Sequence, residues 1–405
     1  MDISKQERLL CSTWAKGVGL SAAGTAGSYE GFLVLEWPLP WPRDASEIPP
    51  LSEVTASAKK LNIRVQLITE GDRSGQGNRL MRLACYHGLI NFPTLGTADG
   101  AMRDVGTPFY SGFGLIEAAA PKEGVPETAF RILSLIETLK EKKAGFSQDP
   151  PGVGTGRGFL LSGRDEESLK TALSLSSVDG GMRSRPSLDE DVALRPYEGT
   201  SVREVLLCTH GKRDRCCGSL GINLYGELSG GDLFGGETGR RLYRTSHTAG
   251  HRFAPTAVFL PQGSLWAFLD GRTMGLILSE HPDCSALKPY FRGSVGLKKS
   301  EFQVVEAELF AEWSNLFPGQ TGWDFLHSPR RASLAGDTVT FEVISPLTGS
   351  VQISAEIKES RKVPAWDCGQ IPGEEMSGGN AKEAYTEYTV TALETGVIQS
   401  SGIRE

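Results

Sequence analysis

No stretch of this 405-residue chain approaches the roughly 18–20 consecutive apolar residues that span a bilayer. Its longest apolar runs, such as Phe32–Leu35 and Ala257–Leu260, are strand-sized. The opening Met1-Asp2-Ile3-Ser4-Lys5-Gln6-Glu7-Arg8 lacks the basic stretch and apolar core of a secretory signal. There is no basic excess either: 42 Lys and Arg against 49 Asp and Glu give a net charge of −7, against a general nucleic-acid binder. Together these absences lead us to expect a soluble, cytoplasmic protein that acts on neither membrane nor nucleic acid. Cysteine is sparse, with seven residues at 11, 85, 208, 216, 217, 284 and 368. That count is odd and too thin for a disulfide scaffold, so reduced thiols are expected. Hydrolase and nucleotide signatures are missing. There is no G-x-S-x-G, no phosphate loop ending in Gly-Lys-Ser/Thr and no C-x2-C, and Gly152–Gly158 and Gly17-Val-Gly19 read as turns.

What is present is α/β text. Phe32–Glu36 and Ile63–Ile68 read as strands, Val54–Leu61 and Thr128–Lys143 as helices. We place an N-terminal α/β domain at 1–148 and a Gly/Pro-rich connector with a helix at 149–199. From 200 to 328 the order is strand (Val202–Cys208), helix (Leu220–Leu228), strand (Leu242–Ser246), hairpin (Thr256–Leu269) and helix (Ser300–Trp313), the skeleton of a thioredoxin-like layer. Residues 329–405 alternate apolar and polar positions over 338–344, 351–357 and 387–393, predicting a small antiparallel β appendage. Leu9-Leu10-Cys11-Ser12 echoes Leu206-Leu207-Cys208-Thr209, so a degenerate copy of the thioredoxin-like fold is a second reading of the N-terminal domain.

Chemistry concentrates in Cys208-Thr-His-Gly-Lys-Arg-Asp-Arg-Cys216-Cys217-Gly218 and His247-Thr-Ala-Gly-His251. Taken singly, a cysteine ending an apolar strand is a buried small hydrophobe and a histidine in a turn an ordinary polar residue. Four such residues in a short window point instead to a soft or borderline metal site. Two thiolates and two imidazoles suit tetrahedral zinc, and equally a [2Fe–2S] cluster with histidines on one iron. His247-x3-His251 has zinc-compatible spacing, whereas the interval between Cys208 and Cys217 is wide enough to wrap a binuclear cluster. Spacing alone leaves both open. Asp214, between the cysteines, reads as a loop-shaping acceptor or an arginine partner.

These motifs resemble the sucrase/ferredoxin-like proteins, which include fungal actin-patch-distribution proteins and thioredoxin-like ferredoxins. The resemblance rests on Cys208–Cys217, His247-Thr-Ala-Gly-His251-Arg-Phe-Ala and Val258-Phe-Leu-Pro-Gln-Gly-Ser-Leu-Trp266, with Cys11-Ser12, Gly24-Thr25-Ala26 and Leu33–Trp41 as a second segment, over about residues 9–315. It implies a [2Fe–2S] cluster held by Cys208, Cys217, His247 and His251, in a one-electron redox carrier rather than a hydrolase. A flavoprotein or other reductase would be the donor, docking on the basic residues Lys212, Arg213, Arg215, Arg240, Arg241, Arg244 and Arg252. A zinc-stabilised binding protein using the same four residues is the alternative. Two departures stand out: Ala249 occupies a position where the family often has Gly, and Cys216 lies beside Cys217. The eight-residue interval favours Cys217 as ligand.

Overall fold

The computed structural model describes residues 10–70, 80–88, 110, 112–146, 193–195, 202–345, 347, 349–363, 368 and 385–397. The polar stretch 369–382 lies outside them, and so do the proposed connector and helix at 149–199 except for 193–195, which form a short strand. Two compact units divide the chain: residues 1–28, 107–111 and 199–405 form one, residues 29–106 and 112–198 the other. No helix of the described residues is long and apolar enough to cross a membrane.

Helix α1 (Cys11–Gly17) belongs to the first unit. The second unit then runs β1 (Gly31–Glu36), α2 (Pro49–Lys60), β2 (Ile63–Thr69), β3 (Met81–His87), β4 (Gly114–Ala120), α3 (Val125–Phe146) and β5 (Ala193–Arg195). Prolines at its first positions start α2, where no intrahelical N–H is lost, and it buries Leu51, Val54 and Ala58 along one face. Strand β1 pairs parallel with β2 and antiparallel with β3, which pairs antiparallel with β4, giving the order β2-β1-β3-β4-β5.

The first unit resumes with β6 (Glu204–Cys208), α4 (Ile222–Leu228), β7 (Arg241–Thr245), β8 (Ala257–Leu260), β9 (Ser264–Trp266), α5 (Gly271–Leu278), β10 (Phe291–Ser294), α6 (Ser300–Leu316) and α7 (Gly322–His327). Its sheet order is β10-β9-β8-β6-β7, with β6 parallel to β7 and antiparallel to β8, and β8 antiparallel to β9. Every residue of β6 is buried, as a central strand covered on both faces requires. The two units therefore repeat one scheme: β-α-β with a parallel pair, then two antiparallel strands added on the side of the first. The echo between Leu9–Ser12 and Leu206–Thr209 is not part of it, because Cys11 opens a helix while Cys208 closes a strand.

A four-stranded antiparallel sheet follows, in the order β11 (Arg330–Ala335), β12 (Thr338–Ser345), β13 (Gly349–Val363) and β14 (Tyr385–Val397). The alternation read from sequence marks β12, β13 and β14; β11 escaped it because its inward positions are Arg330 and Ala332 rather than large apolar residues. The inner face of this sheet (Val339, Phe341, Val343, Ile353, Ala355) shares one core with α6 and with Val205, Phe259 and Trp266 of the first sheet. Trp266, Phe291, Phe310 and Trp323 meet stacked, tilted or edge-on at its centre, with ring centroids 4.9–5.9 Å apart.

Candidate metal centre

Strand β6 delivers Cys208 fully buried, its N–H bonded to the Thr256 carbonyl at 2.9 Å. The chain then turns through 209–216 and enters a single π turn, Cys217–Gly221, ahead of α4. Sequence periodicity starts the helix only at Leu220 and leaves 217–219 in the preceding loop. The wider turn fits a close approach: a Cβ on Gly221 would lie 2.0 Å from the Cys208 carbonyl oxygen, and one on Gly218 would lie 2.3 Å from the Gly211 Cα. Only glycines let the turn press against the end of β6, and such π turns gather at functional sites. Gly221→Ala is therefore expected to destabilise the protein by about 3 kcal/mol, the upper end of overpacking costs, because backbone rather than a flexible side chain must yield. Thermal melting and metal content together check this; an unchanged melting temperature would show the turn can move freely.

His247 and His251 sit on the loop after β7, the second opening a short 3-10 turn. Ala249 has φ +65° and Gly250 φ +76°, so the loop needs two left-handed residues in succession. That explains why glycine suits position 249 and why alanine is a tolerated but strained replacement. Arg292 of β10 anchors the loop, donating from Nη1 to the Ala249 carbonyl at 3.2 Å and from Nε to Thr25 Oγ1 at 3.0 Å.

Sγ of Cys208, Sγ of Cys217 and a ring nitrogen of His247 lie within 4.8 Å of one another. His251 is not in that group; it joins His247 and Asp214 in an adjoining one. Asp214 pairs with both imidazoles, Oδ2 at 3.0 Å from His247 Nδ1 and Oδ1 at 3.2 Å from His251 Nδ1. Its side chain thus serves the histidines, where sequence suggested backbone or arginine, and a carboxylate on one ring nitrogen fixes the tautomer and orientation of a metal-binding imidazole. An acidic residue inside the cysteine loop was the only sequence signal for this role.

Electrostatics complete the pocket. The Cys208 thiol is held well below its ordinary value, first by the hydrogen bond from Cys217 and then, against the cost of burial, by those from His247 and the Thr248 N–H. Cys217 moves the opposite way, raised by the same contact with Cys208 and by burial. A cation bound by both sulfurs would displace their protons. Sulfur and imidazole donors with a carboxylate behind them fit a thiophilic or borderline metal and disfavour a hard ion such as Mg2+.

Cys216, adjacent in sequence, faces elsewhere. Its Sγ lies 3.4 Å from Cys11 Sγ and 2.9 Å from Cys368 Sγ, and the third side of the triangle is 3.6 Å. Hydrogen bonds from Cys11 and Cys216 hold the Cys368 thiol down at about 2. Sequence reasoning missed this trio, whose members lie 152 to 357 residues apart with no local pattern to join them. Among the rim cations, Arg240, Arg241 and Arg244 interact with Leu278, Glu204 and Thr209. Lys212 and Arg215 are exposed.

A family model described as sucrase/ferredoxin-like matches residues 22–293, a span that includes Cys208, Asp214, Cys217, His247 and His251 and excludes Cys11 and Cys368. No curated protein and no solved structure matches the chain.

Proposed function

This chain belongs to the sucrase/ferredoxin-like family, and from that premise we propose that it is a one-electron carrier whose thioredoxin-like ferredoxin domain holds a [2Fe–2S] cluster. The observation that carries the proposal is the convergence of two buried thiols and a histidine within 4.8 Å, with a second histidine tied to the first through Asp214. Cys208 and Cys217 would supply the thiolates and His247 and His251 the neutral imidazoles. When bound, the cluster supplies a one-electron couple at a potential above that of an all-cysteine site. The chain's own residues do the rest: Asp214 orients both rings, Arg292 fixes their loop, and the apolar surroundings of Cys208 and Cys217 exclude water. The thioredoxin-like assignment is supported by the strand order β7-β6-β8-β9, with a parallel first pair and an antiparallel hairpin. Lys212 and Arg215 give a cationic edge suited to an acidic flavoprotein or other reductase in the cytoplasm.

A zinc-stabilised binding protein is the second reading, favoured by the position of His251 outside the three-donor group. Protein purified without oxygen decides between them. Red-brown protein with iron and acid-labile sulfide near two each per chain is expected, from the composition of the cluster. A colourless protein carrying one zinc would overturn the cluster reading.

A further inference from the structure

We propose that Cys11, Cys216 and Cys368 form a second metal site, a three-thiolate site for Cu(I), distinct from the Cys/His centre. The three sulfurs come from the start of α1, from the ligand loop and from the segment after β13, and they meet in a triangle of 2.9, 3.4 and 3.6 Å. Metal–sulfur bonds of about 2.3 Å would span a slightly wider triangle in plane. A cation just off this plane therefore reaches all three with little movement.

Three features mark the triangle as built for a thiolate-bound ion. Its donors are uniform: among the described residues no histidine or carboxylate joins the group. Sulfur without oxygen selects soft cations, and three-coordination suits Cu(I), whereas zinc takes a fourth ligand. Backbone amides also point at the sulfurs: Ser12 N–H donates to Cys216, and the N–H groups of Cys11 and Cys216 donate to Cys368. Such bonds offset charge left on metal-bound thiolates in a dry setting. Lastly, the surroundings are apolar and graded. Cys11 and Cys216 are buried in one cluster with Ala254 and the neighbouring thiols Cys208 and Cys217, Leu10 packs against it, and half-buried Cys368 gives the ion its way in.

The two centres are separate although Cys216 and Cys217 are consecutive, because successive residues entering a helical turn project in different directions, about 100° apart in an ideal helix. Cys216 joins the sulfur triangle and Cys217 the Cys/His group, with no shared member. Cys11 and Cys368 also fall outside the span matched by the family model, so the site does not follow from that match.

The test is a Cu(I) titration of the full chain under nitrogen against a coloured Cu(I) chelator, in a Cys208→Ser/Cys217→Ser background that removes the other thiol pair. One equivalent should be withdrawn from the chelator, and adding Cys11→Ser or Cys368→Ser should weaken binding roughly 100-fold or more. A second readout uses wild-type protein, where bound Cu(I) should protect Cys368 from alkylation by iodoacetamide. It keeps the proposal testable should a serine variant fold poorly. Equal Cu(I) affinity with and without Cys11 and Cys368 would overturn it. So would a Cys216–Cys368 disulfide in protein isolated under nitrogen, or a site that holds zinc and refuses Cu(I).

Discussion

Cys208→Ser and Cys217→Ser are each expected to strip the Cys/His centre of metal, while Cys216→Ser leaves it loaded. A structural metal bound by four ligands contributes on the order of 10–16 kcal/mol, so losing one thiolate costs roughly 3 kcal/mol or more, about 100-fold in affinity. Serine cannot compensate, because an alcohol stays protonated where the thiol is drawn toward thiolate. Cys208 is the more sensitive of the pair. It is wholly buried at the end of the central strand, and Cys217, His247 and Thr248 hold its thiol well below the ordinary value. Its replacement leaves a hydroxyl in an apolar pocket as well as a missing ligand. Cys216 is a near neighbour in sequence but points at Cys11 and Cys368. Iron and sulfide analysis with the visible spectrum reads the outcome, and far-ultraviolet circular dichroism separates metal loss from unfolding. Bleaching by Cys216→Ser with retention in Cys217→Ser would move the ligand by one residue and redraw both centres.

The sequence exposed those parts of the site that are local. Val205–Cys208 is a continuous apolar run, so its strand could be read directly, and the cysteine at its end and the spaced histidines advertise their chemistry. The Pro261-Gln262-Gly263 hairpin and the helix from Ser300 were legible for the same reason: turn residues and periodicity act over a few positions. What stayed hidden depends on contacts between distant segments. The π turn exists because Gly221 meets the Cys208 carbonyl, a tertiary contact that leaves only a glycine in the text. Asp214 looked like any loop acid until the loop after β7 brought both histidines to it. Cys11 and Cys368 gave no signal, since nothing near either names its partner. The first copy of the repeated strand order begins at Gly31, with residues unrelated to those of β6, and the textual echo of β6 lies elsewhere, at Leu9–Ser12.

Glu306→Leu and Arg330→Met are each expected to destabilise the protein by about 3–5 kcal/mol, the cost of leaving one charge of a buried pair alone. Both side chains are almost wholly removed from solvent, 0% and 2% exposed. Arg330 donates from Nε to Glu306 Oε1 at 2.9 Å and from Nη2 to the same oxygen at 2.5 Å. It also donates to Ser294 Oγ at 2.9 Å and to the Leu326 carbonyl at 2.7 Å, while Glu306 Oε2 accepts from the Ser294 N–H at 2.7 Å. One guanidinium thus ties β11, α6, β10 and α7 together. Ser294 is two residues from Arg292, which holds the histidine loop, so the pair supports the metal centre at one remove. If the destabilisation arises from an orphaned charge, the double variant Glu306→Leu/Arg330→Met should be more stable than either single one, because apolar side chains of similar size can replace a buried pair at little cost. Chemical denaturation of the four proteins gives the cycle. Single variants within about 1 kcal/mol of wild type would mean that water reaches the site. A double variant as unstable as the sum of the singles would mean that each residue acts through packing, with no coupling between the charges.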